Sequence, residues 1–158
     1  MMTVQQFIEA CRDRGLNVTY QRILIYRSLT ETDRHPTAEE IFTEVKKEYP
    51  SISLATVYKT LETLVKHDLI SKVNPLHDSA RYDGDNALHH HMLCRHCGRV
   101  VDIADERLNE IDMPRQDNYR IAGYRILFEG WCDAPACRDM AASLPSPPPE
   151  QGMTLCGK

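Results

Sequence analysis

The segment LHHHMLCRHCGRVVDI, residues 88–103, places three consecutive histidines, a Cys-x-x-Cys pair and an aspartate in one short run. Cys94 and Cys97 are followed, about a strand, a helix and a strand later, by Cys132 and Cys137. A cysteine pair at a turn presents two thiolates to one ion, and a second pair completes a tetrahedron with metal–sulfur bonds of ~2.3 Å. Both pairs carry turn residues, Gly98 after the first and Pro135 within the second. Four thiolates with no open position describe a structural Zn(II) site that contributes folding energy directly. The competing reading is a dithiol redox pair, which suits Cys-x-x-Cys at a helix N-terminus. Here a strand is expected after Cys97, and the second pair would have no role. Cys11 falls on a helix's apolar face as packing, and Cys156 is assigned no role.

In an extended segment residues i and i+2 share a face. His89 and His91 therefore point one way, and His90 points the other, as a surface or secondary residue. Two imidazoles on one face can begin a second metal site. Asp83 just upstream, Asp102 in the adjacent strand-like run and His35 in a loop before Pro36 are its available partners. Three nitrogens and two oxygens suit Fe(II) or Mn(II) as well as zinc. Such an ion would brace the two halves of the chain, and its occupancy would set their relative angle. Taken singly, three of these residues have plainer readings: His35 as a loop histidine, Asp83 as a turn acceptor and Asp102 as a solvated carboxylate.

The elements that must position these groups differ between the halves. Val4, Phe7, Ile8 and Cys11 recur at helical spacing, and Gly15 closes that helix. Thr19 starts a second, with Ile23, Tyr26 and Leu29 apolar. Thr37 and Glu40 form a capping box for a third, which Pro50 stops. Ser53 caps a fourth, whose Val57, Leu61, Leu64 and Val65 make one apolar stripe, leaving Thr56, Tyr58, Lys59 and Thr63 on the other face. Strand-like pieces at 69–73 and 80–82 flank a turn at Asn74-Pro75. Helices followed by a hairpin predict a winged helix-turn-helix. Beyond it, strands flank the Cys-x-x-Cys turn, residues 104–111 suit a helix and residues 119–131 a strand or strand pair. The class is α+β, with a winged helix-turn-helix domain at 1–83, a small α/β domain at 84–140 and a Pro-rich, disordered tail at 141–158.

Composition bounds the function. The net charge is −4, and residues 1–83 carry 11 Lys/Arg against 12 Asp/Glu, so nucleic-acid contact must come from a local patch. No apolar run is long enough to span a membrane, and charges interrupt the first apolar stretch too early for a signal peptide, so a cytoplasmic chain without a membrane partner is expected. No His-Glu-x-x-His or His-x-Glu signature supports a zinc enzyme. That class and a thiol-redox enzyme stay as remote alternatives.

The motifs HPTAEEIF, SLATVYKTL, HHHMLCRHCGRVVDI and CDAPAC resemble those of the ferric uptake regulator family over about residues 4–138. The resemblance implies a homodimeric, metal-dependent repressor of double-stranded operator DNA, with a winged helix, a dimerisation domain and structural zinc on the four cysteines. Its peroxide-responsive members use a His-Asp-His-His-Asp set that maps onto His35, Asp83, His89, His91 and Asp102. Its iron-uptake members usually carry glutamate where Asp83 stands, and often an extra site at positions held here by Leu88, His90 and Tyr124. Both departures point to peroxide sensing through Fe(II), with oxidation of His35 or His89. Iron-, zinc- or manganese-uptake regulators are the alternatives. The same resemblance sends the helix at 53–67 into the major groove, with Thr56, Tyr58 and Lys59 at bases and phosphates and Arg22, Lys72 and Arg81 at the backbone.

Overall fold

The computed structural model describes residues 1–32, 34–73 and 80–143. The Asn74-Pro75 turn, Cys156 and nearly all of the expected tail lie outside these residues. Four helices come first, α1 (Val4–Asp13), α2 (Tyr20–Thr30), α3 (Ala38–Glu48) and α4 (Leu54–Lys66). Each starts on a hydroxyl residue whose side chain accepts a backbone N–H of the first turn: Thr3, Thr19, Thr37 and Ser53. The Thr37–Glu40 capping box forms as expected, and Thr3 makes a second one with Gln6. Gly15 leaves α1 at φ +69, the left-handed conformation that glycine adopts without a Cβ penalty.

The apolar stripes converge on one core. Phe7, Leu24, Ile25, Tyr26, Leu29, Ile41, Val57, Leu61 and Leu64 are all buried in it. Phe7 stacks on Tyr26 with ring centroids 3.8 Å apart, and the buried Tyr26 hydroxyl donates to the Met2 carbonyl at 3.0 Å. Against this bundle lies an antiparallel pair, β1 (Ser71–Lys72) with β2 (Tyr82–Asp83), in register Ser71↔Asp83. The strands are shorter than the 69–73 and 80–82 segments predict, and β2 reaches Asp83. Residue 81 also bridges to Thr37, so this wing is stitched to the loop before α3.

The second half is a three-stranded sheet in the order β4 (Val100–Ile103), β3 (His90–Cys94), β5 (Leu127–Gly130). The β3–β4 pair is antiparallel with His91 opposite Asp102; the β3–β5 pair is parallel. A helix, α5 (Pro135–Ala142), follows. Two expectations change here. The helix at 104–111 reduces to one 3-10 turn, Glu106–Asn109, capped by Asp105. Of residues 119–131 only Leu127–Gly130 pairs as a strand. Residues 110–123 are exposed, so neither segment packs an apolar face within the chain. Among the described residues no helix is long and apolar enough to cross a membrane.

The core makes one stability expectation. Leu61 is fully buried on α4. Leu61→Ala should lower the unfolding free energy by about 2–5 kcal/mol, read from urea unfolding of the metal-loaded chain.

Candidate metal centres

Cys94 ends β3, Cys97 sits in the turn that Gly98 closes at φ +68, Cys132 follows β5 and Cys137 lies on α5. The Gly98 N–H donates to the Cys94 carbonyl at 2.9 Å. The four sulfurs lie within 4.8 Å of one another, and Cys97 Sγ is 3.7 Å from Cys132 Sγ. A tetrahedral ion with metal–sulfur bonds of ~2.3 Å needs edges of about 3.8 Å. The sulfurs are poised unevenly. Burial pushes the Cys94 thiol up, but N–H groups of Cys97, Cys132 and His96 donate to it and hold it at about 6. Burial and the neighbouring sulfurs push Cys137 up to about 12. Crowded sulfurs cannot all ionise beside one another without a cation, and a bound ion removes that conflict. A strand, β4, follows Cys97, so this pair lacks the helix N-terminus of a dithiol oxidoreductase. Pro135 opens α5 rather than a loop, which turns Cys137 back toward the pair.

The second cluster draws on both halves. His35 comes from the loop before α3, Asp83 from the end of β2, His89 and His91 from one face of the β3 segment, and Asp102 from β4. Ligand atoms of His35, Asp83, His89 and His91 lie within 4.8 Å of one another. Asp83 Oδ2 stands 2.8 Å from His89 Nε2, 3.4 Å from His91 Nε2 and 3.8 Å from His35 Nε2. Asp102 Oδ1 stands 3.0, 3.6 and 3.4 Å from Nε2 of His35, His89 and His91. The Nε2 atoms of His89 and His91 are 3.0 Å apart. Ligands about 2.1 Å from one ion are separated by about 3.0 Å at right angles and about 3.6 Å at 120°. The observed spacings fall around those values, with every donor atom turned inward.

Electrostatics agree with this. Among the described residues, buried Asp83 Oδ2 has no hydrogen-bond partner despite its three close nitrogens. Burial pushes the Asp83 carboxyl up, but the approach of His91 and the Asp85 N–H, then His35 and His89, hold it net below the usual carboxylate range. Burial lowers His35 and outweighs the opposing pull of Asp83 and Asp102, which favours the neutral ring that binds a metal. His89 Nδ1–H donates to the Ala87 carbonyl at 2.9 Å, which leaves the Nε2 lone pair for an ion. The Asp102 side chain is 53% exposed and the Asp83 side chain 3%, so Asp102 marks the open edge.

His90 does point away from His89 and His91, but it is not a surface residue. It is buried, stacked on Tyr124 at 5.7 Å, with Nε2 donating to the Leu108 carbonyl and Nδ1 accepting from Ile126 N–H. Both nitrogens are occupied, and the Tyr124 hydroxyl donates to the same carbonyl at 2.6 Å. A structural pair fills the positions where the resemblance allows an extra metal site.

The residues assigned to DNA separate. Tyr58 and Lys59 are exposed on α4, and the Tyr58 hydroxyl donates to Glu39. Thr56 Oγ1 lies 2.8 Å from Ser53 Oγ at the helix cap. Lys72 pairs with Glu62 at 2.5 Å. The Arg22 guanidinium donates to the Asn17 carbonyl. Arg81 does not extend from the wing: only 15% exposed, its guanidinium turns inward to the carbonyls of His35 and Gly98. Antiparallel pairing of β1 with β2 and the bridge to Thr37 set that direction, which residue type alone does not reveal.

A model of the ferric uptake regulator family matches residues 13–128. The peroxide-responsive repressor PerR of Staphylococcus aureus is 30% identical over 138 residues, covering 86% of this chain and 92% of that protein. The solved Helicobacter pylori ferric uptake regulator Fur shares the fold at a TM-score of 0.68 and 24% identity, covering 87% of this chain and 95% of that one. The Campylobacter jejuni peroxide stress regulator matches at 0.54 and 28% identity, over 82% of this chain and 95% of that one.

The two clusters should separate chemically. Asp83→Asn should weaken Mn(II) binding at least about tenfold and leave the thiolate-bound ion in place. Cys97→Ser should release that ion and lose ordered structure in residues 88–143. Metal content per chain and backbone NMR check both.

Proposed function

The chain belongs to the ferric uptake regulator family of metal-responsive transcription regulators, and from there we propose that it is a homodimeric repressor that senses peroxide. Zn(II) on Cys94, Cys97, Cys132 and Cys137 would hold the second half together. Fe(II) or Mn(II) at His35, Asp83, His89, His91 and Asp102 would fix the angle between the halves and so the fit to operator DNA. The observation that carries this reading is the set of five inward-facing donors, two from the first half and three from the second. A mixed set of imidazoles and carboxylates suits these ions better than a thiolate site does.

The residues divide the work. Asp83 and Asp102 supply negative charge that neutralises a divalent cation. Neutral His35 accepts it without releasing a proton near pH 7. Asp102 leaves the edge through which a small oxidant reaches the ligands. Fe(II), when bound, supplies the redox chemistry that activates peroxide. His35 or His89 takes one oxygen atom from it, and the other leaves as water. An oxygenated ring is a poorer donor, so the halves lose their shared ligand. On the DNA side, Tyr58 and Lys59 face outward from α4, whose first turn is capped by Ser53. A second copy would cover the exposed apolar face of the sheet on which Val101 and Phe128 flank Met92.

Two measurements test the proposal. Equimolar peroxide should release operator DNA from the Fe(II) form, with one added oxygen on a His35 or His89 peptide, and leave the Mn(II) form bound. Equal behaviour of both forms with no oxidised peptide would leave a regulator of metal uptake instead. Lys59→Ala should weaken operator binding and lower the slope of log affinity against log salt by about one.

A further inference from the structure

We propose that Arg81 is a positioning residue for the exchangeable ion: it holds His35 in the ligand set by fastening its backbone to the cysteine turn of the other half. The inference rests on the reading that the five-donor cluster binds a divalent ion, and goes beyond it by naming what links that cluster to the thiolate site.

His35 has two features that set it apart from the other imidazoles. Its backbone lies at φ +49, which a residue with a Cβ rarely adopts. Its outer nitrogen, Nδ1, is buried with no hydrogen-bond partner among the described residues. Metal-binding histidines are ordinarily oriented through that outer nitrogen, as His89 is by the Ala87 carbonyl. His35 must be held another way, and the hold visible here is on its backbone.

That hold converges on Arg81. Its Nη1 donates to the His35 carbonyl at 2.9 Å, and its Nε donates to the Gly98 carbonyl at 2.7 Å. Nη1 also stands 3.3 Å from Glu40 Oε2, the carboxylate that closes the α3 capping box on Thr37. Residue 81 bridges to Thr37, and Tyr82 N–H donates to the Pro36 carbonyl at 3.1 Å. The strand that delivers Asp83 thus also grips the loop that delivers His35. Gly98 belongs to the turn that presents Cys97, and its N–H is already committed to Cys94. One planar guanidinium therefore ties a ligand of the exchangeable ion to the frame of the thiolate site. The arrangement needs arginine, because N–H groups must leave one plane toward two carbonyls. A lysine ammonium is a point donor on a flexible stem and does not reproduce that fork.

The test uses the full chain with its zinc in place and Mn(II) as probe, following the EPR signal of free Mn(II). Arg81→Lys and Arg81→Gln should each weaken Mn(II) binding about tenfold or more, the usual effect of losing an outer-shell partner, while zinc per chain and the melting temperature identify folded protein. The loss should shrink in the His35→Ala background, since Arg81 acts through that side chain; a merely structural role would give losses that add in full. Wild-type affinity in both Arg81 variants, or full additivity with His35→Ala, would overturn the inference alone. A wild-type chain that takes up no Mn(II) beyond its zinc would remove the ligand-cluster reading and this inference together. Failure of the peroxide response with intact Mn(II) binding would leave the role of Arg81 standing.

Discussion

The constraint behind this structure is how little apolar surface the second half buries within the chain, although Val101, Ile111, Leu127 and Phe128 are exposed there. Among the described residues, the buried apolar cluster there consists of Leu93 and Val100, joined by Val73 from the first half. The first half buries a contiguous set running from Phe7 to Tyr82. A small unit with so little to bury needs a covalent or metallic staple, and four thiolates at the edge of a three-stranded sheet provide one. That explains why Cys94, Cys97, Cys132 and Cys137 come from a strand end, a turn, a strand exit and a helix. One ion can accept four ligands at once, so it can join elements that no single pairwise bond would reach together.

One strand then serves both clusters. β3 ends at Cys94, and the run leading into it carries His89 and His91 on one face and His90 on the other. The period-two alternation of an extended chain sends the first pair to the exchangeable cluster and sends His90 to Tyr124 and the Leu108 carbonyl. Antiparallel pairing sets Asp102 opposite His91. The second half therefore supplies three preformed donors, and the first half supplies His35 and Asp83. A ligand shared this way shifts a conformational equilibrium by its preference for the closed arrangement. An ion held by all five donors, as proposed, would express that preference directly.

Two of the residues proposed for DNA contact are engaged by carboxylates. Glu39 accepts from Tyr58, and Glu62 pairs with Lys72. Surface pairs of this kind contribute little to stability and exchange readily for a phosphate. With a net charge of −4 there is no global positive field, so the proposed fit to DNA would depend on where the helices are held.

Much of this was legible in residue order. Helical spacing, the hydroxyl caps and the Thr37–Glu40 box located the first four helices, because caps and stripes are local physics. The cysteine spacing and the alternation of His89 and His91 announced two clusters for the same reason. Other features depended on contacts distant in the chain. Arg81 has the composition of a wing residue and the position of a bracket, since strand pairing turned it toward carbonyls from residues 35 and 98. His90 reads as a surface or secondary residue and is instead a buried stacking partner, because β5 lies beside β3. The helix expected at 104–111 is one 3-10 turn with no buried residue, so helical pattern there found no packing to stabilise it. Local pattern determined which side chains could bind metal; the pairing of distant segments decided which of them face one another, since ligands converge only after strands find their register.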